Sequence, residues 1–359
     1  RGGDQVVIKT PEDLKFFGGN VKEIEKQSRV RSRVVANALK DLFIDSNSVY
    51  IMGHKNPDLD SFGASIGIST IARGLEKQNH IILGDVNDNI KFMLDKFKGK
   101  SEYENLFITE DEAKEQIDRS SDVLVIVDVH AKSYVLNTDI IEMFDKVVII
   151  DHHRRSTDQI KNVTLSYIEN YASSASELVT ELIQYSFDKP ILKSIEAEAL
   201  YVGISVDTKS FSVKTGVRTF DAAAFLKRQG VSTDSVREMF NYDIESYNKK
   251  AKIIENAVIK DNIAISKVYN SDNLLLSAQA ADELSNFKNI KASFVLTEIN
   301  GNISINGRSS KDINVQVILE ELGGGGHMNM AGTTLYNTTM DDAYKMLYKT
   351  INKNIEGDI

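Results

Sequence analysis

Val49-Tyr50-Ile51-Met52-Gly53-His54-Lys55-Asn56-Pro57-Asp58-Leu59-Asp60 is a short apolar run that leads into an imidazole and two carboxylates. The figure recurs twice. Val123–Val127 leads into Asp128, and Val147–Ile150 leads into Asp151-His152-His153. Ile81–Leu83 is a further apolar run, and helical patterns over Ser61–Lys77 and Ser174–Tyr185 separate such runs. Alternating strands and helices predict a parallel α/β sheet. Runs without polar interruption fit strands buried on both faces. In open parallel sheets the ligand crevice lies outside the carboxyl ends of the strands. The topology therefore predicts one rim holding His54, Asp58, Asp60, Asp128, Asp151, His152 and His153. Asp207 joins the set, following Glu196–Ser205, where Ala199, Val202 and Val206 carry helical spacing.

These residue types point to metal chemistry. The chain has no cysteine, so any metal must be held by His, Asp or Glu. Imidazole nitrogen with several carboxylates suits a divalent ion such as Mn²⁺ or Fe²⁺. Two such ions about 3.5–4 Å apart can activate water and stabilise both the attacking and leaving oxygens of a phosphoryl group. Four of the six histidines, His54, His152, His153 and His327, fall inside the segments singled out. His80 reads as an ordinary histidine, and His130 is an unassigned neighbour two residues past Asp128.

Outward from this core, residues 1–20 read as a turn, a strand and a Pro/Gly-bounded loop. Residues 21–47 read as a linker helix with Val30, Val34, Val35, Ala38 and Leu42 on one face. The catalytic α/β domain is expected over 48–245, including a helix Phe220–Arg228 stopped by Gly230, and a charged helix over Ser246–Lys260 leads out of it. A smaller α+β domain follows over 261–359. Its pattern is strand Ile263–Val268, helix Ala278–Phe287, strand Ala292–Ile299, a hairpin turn at Asn300-Gly301, a strand ending near Arg308, helix Asn314–Leu322, strand Thr333–Tyr336 and a helix from Met340. Between the last strand and helix Asn314–Leu322 lies Gly323-Gly324-Gly325-Gly326-His327. One glycine would serve as a helix stop; four let backbone N–H groups converge on an anion. Phosphate or nucleotide binding is expected there, with Arg308 nearby in sequence.

At 359 residues the chain is long enough for two cores. Lys and Arg total 43 against 52 Asp and Glu, for a formal net charge of -9, which disfavours a protein that tracks long nucleic acid. No run approaches the roughly 20 apolar residues that span a bilayer. The lack of disulfides fits a reducing cytoplasm. The first residue is Arg1, so a piece of a longer chain is expected, with membrane segments in the remainder.

His54-x-Asn56-Pro57-Asp58-x-Asp60, Asp128, Asp151-His152-His153 and Asp207 resemble the four motifs of the DHH phosphoesterase superfamily. Gly307-Arg308-Ser309-Ser310 and Gly323–His327, followed by Ala331-Gly332, resemble its DHHA1 partner domain. Within the superfamily the sequence is most similar to the GdpP-type cyclic di-AMP phosphodiesterases of bacteria. Arg1-Gly2-Gly3-Asp4-Gln5-Val6 resembles the tail of the degenerate GGDEF domain that precedes the DHH unit in those proteins. The resemblance implies a membrane-anchored parent chain with this part in the cytoplasm.

It further implies two Mn²⁺ ions, with Fe²⁺ or another divalent ion as the alternative. His54 and Asp58 would hold the first, Asp60, His152 and Asp207 the second, and Asp128 would bridge them. His153 would face the scissile phosphate, and Asp151 would orient the histidines. Arg308, Ser309, Gly324, Gly325, Gly326, His327 and Asn56 would contact the substrate. A metal-activated water would open cyclic di-AMP to linear pApA, and a homodimer is expected. Competing readings are a nanoRNase or pAp phosphatase acting on short linear nucleotides, a RecJ-type exonuclease, a family II pyrophosphatase, a nucleotide-sensing module with decayed catalysis, and a structural dimerisation domain. The acidic charge disfavours the exonuclease, Gly323–His327 the pyrophosphatase, and an intact ligand set the decayed sensor.

Overall fold

The computed structural model describes residues 5–9, 14–18, 25–189, 191–239, 244–270, 273–309 and 313–356. The chain divides into two compact units, Arg1–Phe240 and Asn241–Ile359.

The first unit opens with an antiparallel hairpin, β1 (Gln5–Lys9) and β2 (Leu14–Gly18), and a helix, α1 (Glu25–Ile44). Gly2-Gly3-Asp4 lies outside the described residues, as does Ser310. There follow β3 (Ser48–Met52), α2 (Leu59–Gly74), β4 (Gln78–Ile82), α3 (Asp88–Asp95), β5 (Phe107–Ile108), α4 (Glu110–Gln116), β6 (Val123–Val127), α5 (Thr138–Ile141), β7 (Lys146–Asp151), β8 (Leu165–Ile168), α6 (Ala175–Ser186), α7 (Ser194–Asp207), α8 (Val217–Arg228) and α9 (Thr233–Met239).

Strands β3 to β8 form one sheet in the order β5-β4-β3-β6-β7-β8, every pair parallel. The apolar runs are buried on both faces as their composition requires: all five residues of β6 are buried. One face packs on α2, α6 and α7 through Val49, Ile51, Val125, Val148 and Ile150; the other buries Tyr50, Met52, Leu124, Ile126 and Ile149. The chain runs from β3 outward to β4 and β5, then returns to β6 and proceeds to β7 and β8. The topological switch point thus lies between β3 and β6, where His54 and Asp128 leave the sheet.

Helix α2 is buried along nearly its whole length. Glycines let it sit against its neighbours. A Cβ on Gly63 would lie 2.5 Å from the Ala199 carbonyl oxygen, and one on Gly203 in α7 would lie 2.3 Å from Ser176 Oγ. Helix α1 corrects the expected face. Val30 and Val34 are exposed, while Ser32, Val35, Ala36, Leu39 and Phe43 are buried. The reason is polar: the Ser32 hydroxyl donates to Glu181 (2.8 Å) and contacts the Tyr167 hydroxyl (2.9 Å), which fixes the rotation of the helix.

The second unit contains α10 (Ile244–Glu255), β9 (Val258–Lys260), β10 (Ile263–Val268), α11 (Leu274–Ser285), β11 (Ala292–Ile299), β12 (Asn302–Ser309), α12 (Val315–Glu320), β13 (Gly325–His327), β14 (Met330–Leu335) and α13 (Met340–Glu356). The helix expected to reach Lys260 therefore ends at Glu255, and its last residues form an edge strand. The sheet order is β13-β14-β12-β11-β10-β9, with β10–β11 parallel and the other pairs antiparallel. Asn300 and Gly301 both take positive φ (50° and 75°), as a two-residue hairpin demands. Among the described residues, no helix is long and apolar enough to cross a membrane.

Candidate metal centre

Each predicted ligand of the first unit sits at the carboxyl rim. His54 lies just past β3, tied down where Leu136 N–H donates to the Gly53 carbonyl (3.1 Å) and Lys55 N–H to the Tyr134 carbonyl (2.9 Å). Asn56 is exposed in the same loop. Asp58 is the N-cap of α2, one oxygen accepting the N–H groups of Asp60 and Ser61 at 3.0 Å each. Asp128 follows β6 and Asp207 is the last residue of α7.

Three sets of side chains converge closely enough to hold a cation: His54, Asp58 and Asp128; Asp60, His152 and Asp207; and Asp128, His152 and His153. Asp128 is shared. Its Oδ2 lies 3.5 Å from His54 Nε2, and its Oδ1 lies 3.3 Å from His152 Nε2. His152 Nε2 is also 3.2 Å from Asp207 Oδ2 and 3.8 Å from Asp60 Oδ2. Two of these atoms, Asp128 Oδ1 and His152 Nε2, are buried without any hydrogen-bond partner. Buried polar atoms are normally satisfied, so such a pair facing each other marks a position for a cation. The donor set also fits an ion of the Mn²⁺ or Fe²⁺ kind.

Backbone and long-range contacts hold the carboxylates. Asp128 takes φ 60°, uncommon for a residue with a Cβ, and its N–H donates to the Ile150 carbonyl (2.9 Å). Asp60 is fully buried, and its two oxygens accept the N–H groups of Ala175 (2.7 Å) and Ser176 (2.9 Å), the first residues of α6. A carboxylate at a helix N-terminus meets unpaired donors and the positive end of the dipole. Sequence patterning marked α6 as a helix but carried no sign that its N-terminus would grip Asp60. The contribution of Gly63 and Gly203 was equally hidden.

Charge is crowded here. Burial, with the Asp128 and Asp207 carboxylates, pushes Asp60 well above the usual carboxylate range. Burial works to lower His54, but the Asp128 and Asp58 carboxylates beside it (3.5 and 3.7 Å) outweigh it and push the imidazole up to about 10. His152 is raised in the same way, burial being outweighed by Asp128 and Asp207.

Asp151, at the end of β7, is completely buried. Its Oδ1 accepts His152 N–H (2.7 Å), His153 N–H (3.1 Å) and His153 Nδ1–H (2.8 Å), and its Oδ2 accepts from His130 Nδ1. Burial would raise this carboxyl, but the hydrogen bonds from His130 and His153 hold it far below the usual range. The His153 side chain is 56% exposed, so its far edge is open to solvent. Burial lowers its pKa, while the Asp151 hydrogen bond and the Asp128 charge raise it further.

In the second unit, register aligns Arg308 with Met330 and Met330 with His327, bringing these backbones into one row across β12, β14 and β13. Arg308 is buried, with Nη1 donating to the Gly307 carbonyl (3.0 Å) and Nε 3.2 Å from Asp282. Ser309 Oγ donates to the Met328 carbonyl (3.4 Å). The glycine run is largely explained by packing. Gly323 (φ 78°) ends α12, and a Cβ on Gly324 or Gly326 would lie 2.3 Å from the Gly332 carbonyl oxygen or 2.4 Å from that of Met330. Only Gly325 of the four is at negative φ with open space around it.

Residues 48–204 match the family model for the DHH family, N-terminal domain, and residues 260–357 match the DHHA1 domain. The chain is 41% identical to the cyclic-di-AMP phosphodiesterase GdpP of Bacillus subtilis (strain 168), covering 100% of this chain and 56% of the relative. It is 39% identical to the cyclic-di-AMP phosphodiesterase PdeA of Listeria monocytogenes serotype 1/2a (strain 10403S), covering 100% of this chain and 55% of the relative. The chain therefore spans little more than half the length of these curated relatives. A solved exopolyphosphatase-related protein from Bacteroides fragilis shares the fold, with a TM-score of 0.75 at 20% identity over 93% of this chain and 98% of that one. With a DHH domain followed by a DHHA1 domain, the chain belongs to the DHH/DHHA1 family.

Proposed function

We propose that this chain is the catalytic part of a metal-dependent phosphodiesterase that opens cyclic di-AMP to linear pApA. The observation that carries the chemistry is Asp128, whose two oxygens face two different imidazoles within two different ligand sets. The substrate is inferred from the relatives named as cyclic-di-AMP phosphodiesterases. His54, Asp58 and Asp128 would hold one Mn²⁺ or similar ion, and Asp60, His152 and Asp207, with Asp128, the other. Such ions supply Lewis acidity and a lowered pKa for water.

The chain's own groups do the remainder. Asp128, buried and held through its backbone N–H, presents one oxygen to each ligand set. Asp151 holds the His153 ring through Nδ1–H, which leaves Nε2 for the substrate. The Asp151 hydrogen bond and the Asp128 charge favour the protonated His153 ring, which can donate to a phosphate oxygen or to the departing ribose 3′ oxygen. Water adds to phosphorus, the bond to the 3′ oxygen breaks, and that oxygen takes up a proton. Within the second unit, Arg308, Ser309, Gly324, Gly325, Gly326 and His327 are assigned to nucleotide binding; within the first, the exposed Asn56 is assigned a substrate contact. In support, Gly325 has room for a ligand to approach the main chain.

Product analysis with cyclic di-AMP, cyclic di-GMP, pApA and pyrophosphate, each with Mn²⁺, tests this reading. Conversion of cyclic di-AMP to pApA as the preferred reaction is expected. Preference for pApA or pyrophosphate as substrate would overturn it.

A further inference from the structure

His130 takes no part in either ligand set, yet it is buried to 3% exposure directly behind the site. Its ring makes two hydrogen bonds of opposite kind. Nε2 accepts from the Ser156 backbone N–H at 3.0 Å, and Nδ1 bonds Asp151 Oδ2. A backbone N–H can only donate, so Nε2 carries no proton. The ring proton therefore sits on Nδ1 and is donated to Asp151.

Asp151 is in turn the group that holds His153. Its Oδ1 accepts the His152 N–H, the His153 N–H and the His153 Nδ1–H, and its Oδ2 bonds His130. Without a donor on Oδ2, the carboxylate could rotate about its terminal torsion, which is broad and roughly two-fold. A tilt of the carboxylate plane, rather than a full flip, would turn the Oδ1 lone pairs away from His153 Nδ1 while the backbone N–H groups of His152 and His153 keep hold of the group. We propose that His130 is a positioning residue for the reaction: it fixes the Asp151 carboxylate, which fixes the orientation and tautomer of His153. This rests on the reading that His153 serves the phosphate.

A merely structural role has a different address. The Ser156 bond, with Ile160 N–H donating to the His130 carbonyl (3.0 Å), anchors the loop after His153. The two roles use different ring nitrogens and can be separated. Asn in place of His keeps a donor where Nδ1 stands and loses the acceptor for Ser156. Gln can place an amide oxygen where Nε2 stands and loses the donor to Asp151.

The experiment compares His130→Asn and His130→Gln in full-length chain, by steady-state hydrolysis of cyclic di-AMP with Mn²⁺ and by manganese content. His130→Asn should keep kcat within about threefold of wild type. His130→Gln should lose about 10–100-fold in kcat, the range for removing such a partner, with KM and manganese content unchanged. In a His153→Ala background, His130→Gln should cause no further loss. The reverse order, Gln active and Asn impaired, would assign the ring to the loop and overturn the proposal; so would a full additive loss in the His153→Ala background. Nitrogen NMR of the His153 ring in metal-free protein, at a pH high enough to neutralise the ring, reads the same claim without catalysis. Wild type and His130→Asn should show protonated Nδ1, and His130→Gln a mixture of tautomers. An unchanged His153 tautomer in His130→Gln would overturn the proposal. If cyclic di-AMP is not hydrolysed at all but the tautomer shifts as expected, the functional reading fails while the positioning role stands.

Discussion

Gly203→Ala should damage catalysis far more than it damages the fold. The added Cβ would lie 2.3 Å from Ser176 Oγ and 3.0 Å from both Cα and Oδ1 of Asp60. Ser176 Oγ sits at the end of a short side chain and can turn away, at the cost of its hydrogen bond to the Asp60 carbonyl (3.1 Å). The Asp60 contacts cannot be relieved so simply, because one of them is backbone. Asp60 must shift by a few tenths of an ångström. Overpacking of this kind costs about 1–3 kcal/mol. Alanine in a helix interior returns up to about 1 kcal/mol relative to glycine. The net loss is then about 0–2 kcal/mol, or a few degrees in melting temperature. Catalysis tolerates less: misplacement approaching 1 Å can cost about 100-fold. We expect kcat for Mn²⁺-dependent hydrolysis of cyclic di-AMP to fall about 10–100-fold. Gly67→Ala is the control. There the Cβ would meet the side chains of Val179 (2.4 Å) and Leu200 (3.0 Å), not a carboxylate. It should cost stability with little specific loss of rate. A Gly203→Ala protein with wild-type kcat and manganese content would refute the claim that this close approach sets Asp60.

Asp128→Asn should keep a folded chain but lower turnover by more than about 100-fold, because loss of a mere partner of a metal ligand already costs about 10–100-fold and Asp128 is assigned as a ligand itself; retained activity would dismiss the shared-carboxylate scheme. His152→Ala should lose manganese, whereas His153→Ala should keep it and slow turnover by about 10²–10⁴-fold, as loss of a proton donor does; equal metal loss in both would refute the division. Metal affinity should rise with pH, because His54, pushed up to about 10, and His152, also raised, carry protons in the metal-free protein that an ion must expel. Calorimetric Mn²⁺ titrations at pH 6 and pH 8 should show weaker binding at the lower pH with net proton release, and a pH-independent affinity would exclude protonated imidazoles as the resting state.

The rim residues were legible because a parallel sheet puts the ends of its buried strands together, and buried strands announce themselves as apolar runs. His54, Asp128 and Asp151 could be read in this way from their place after Met52, Val127 and Ile150. Asp207 was legible as the end of a helical pattern. What stayed hidden depends on distant partners. Nothing near Ala175 or Ser176 reveals that their N–H groups meet Asp60. The exposed Val30 and Val34 were misread because spacing alone could not choose between apolar faces of α1, a choice made by Glu181 and Tyr167 through Ser32. The glycine run suggested one purpose, but neighbouring strands give Gly324 and Gly326 a separate steric one.

The grip of α6 on Asp60 has a thermodynamic consequence. The carboxylate and the N–H groups that hold it are 115 and 116 residues apart in sequence, so no contiguous fragment ending before α6 can complete the site. An ion that binds the closed constellation and not the open chain must add its binding free energy to the stability of the whole first unit. Ligand at 100 times its dissociation constant contributes about 2.7 kcal/mol in this way. Manganese supply would then set not only the rate of turnover but how long the protein survives proteolysis.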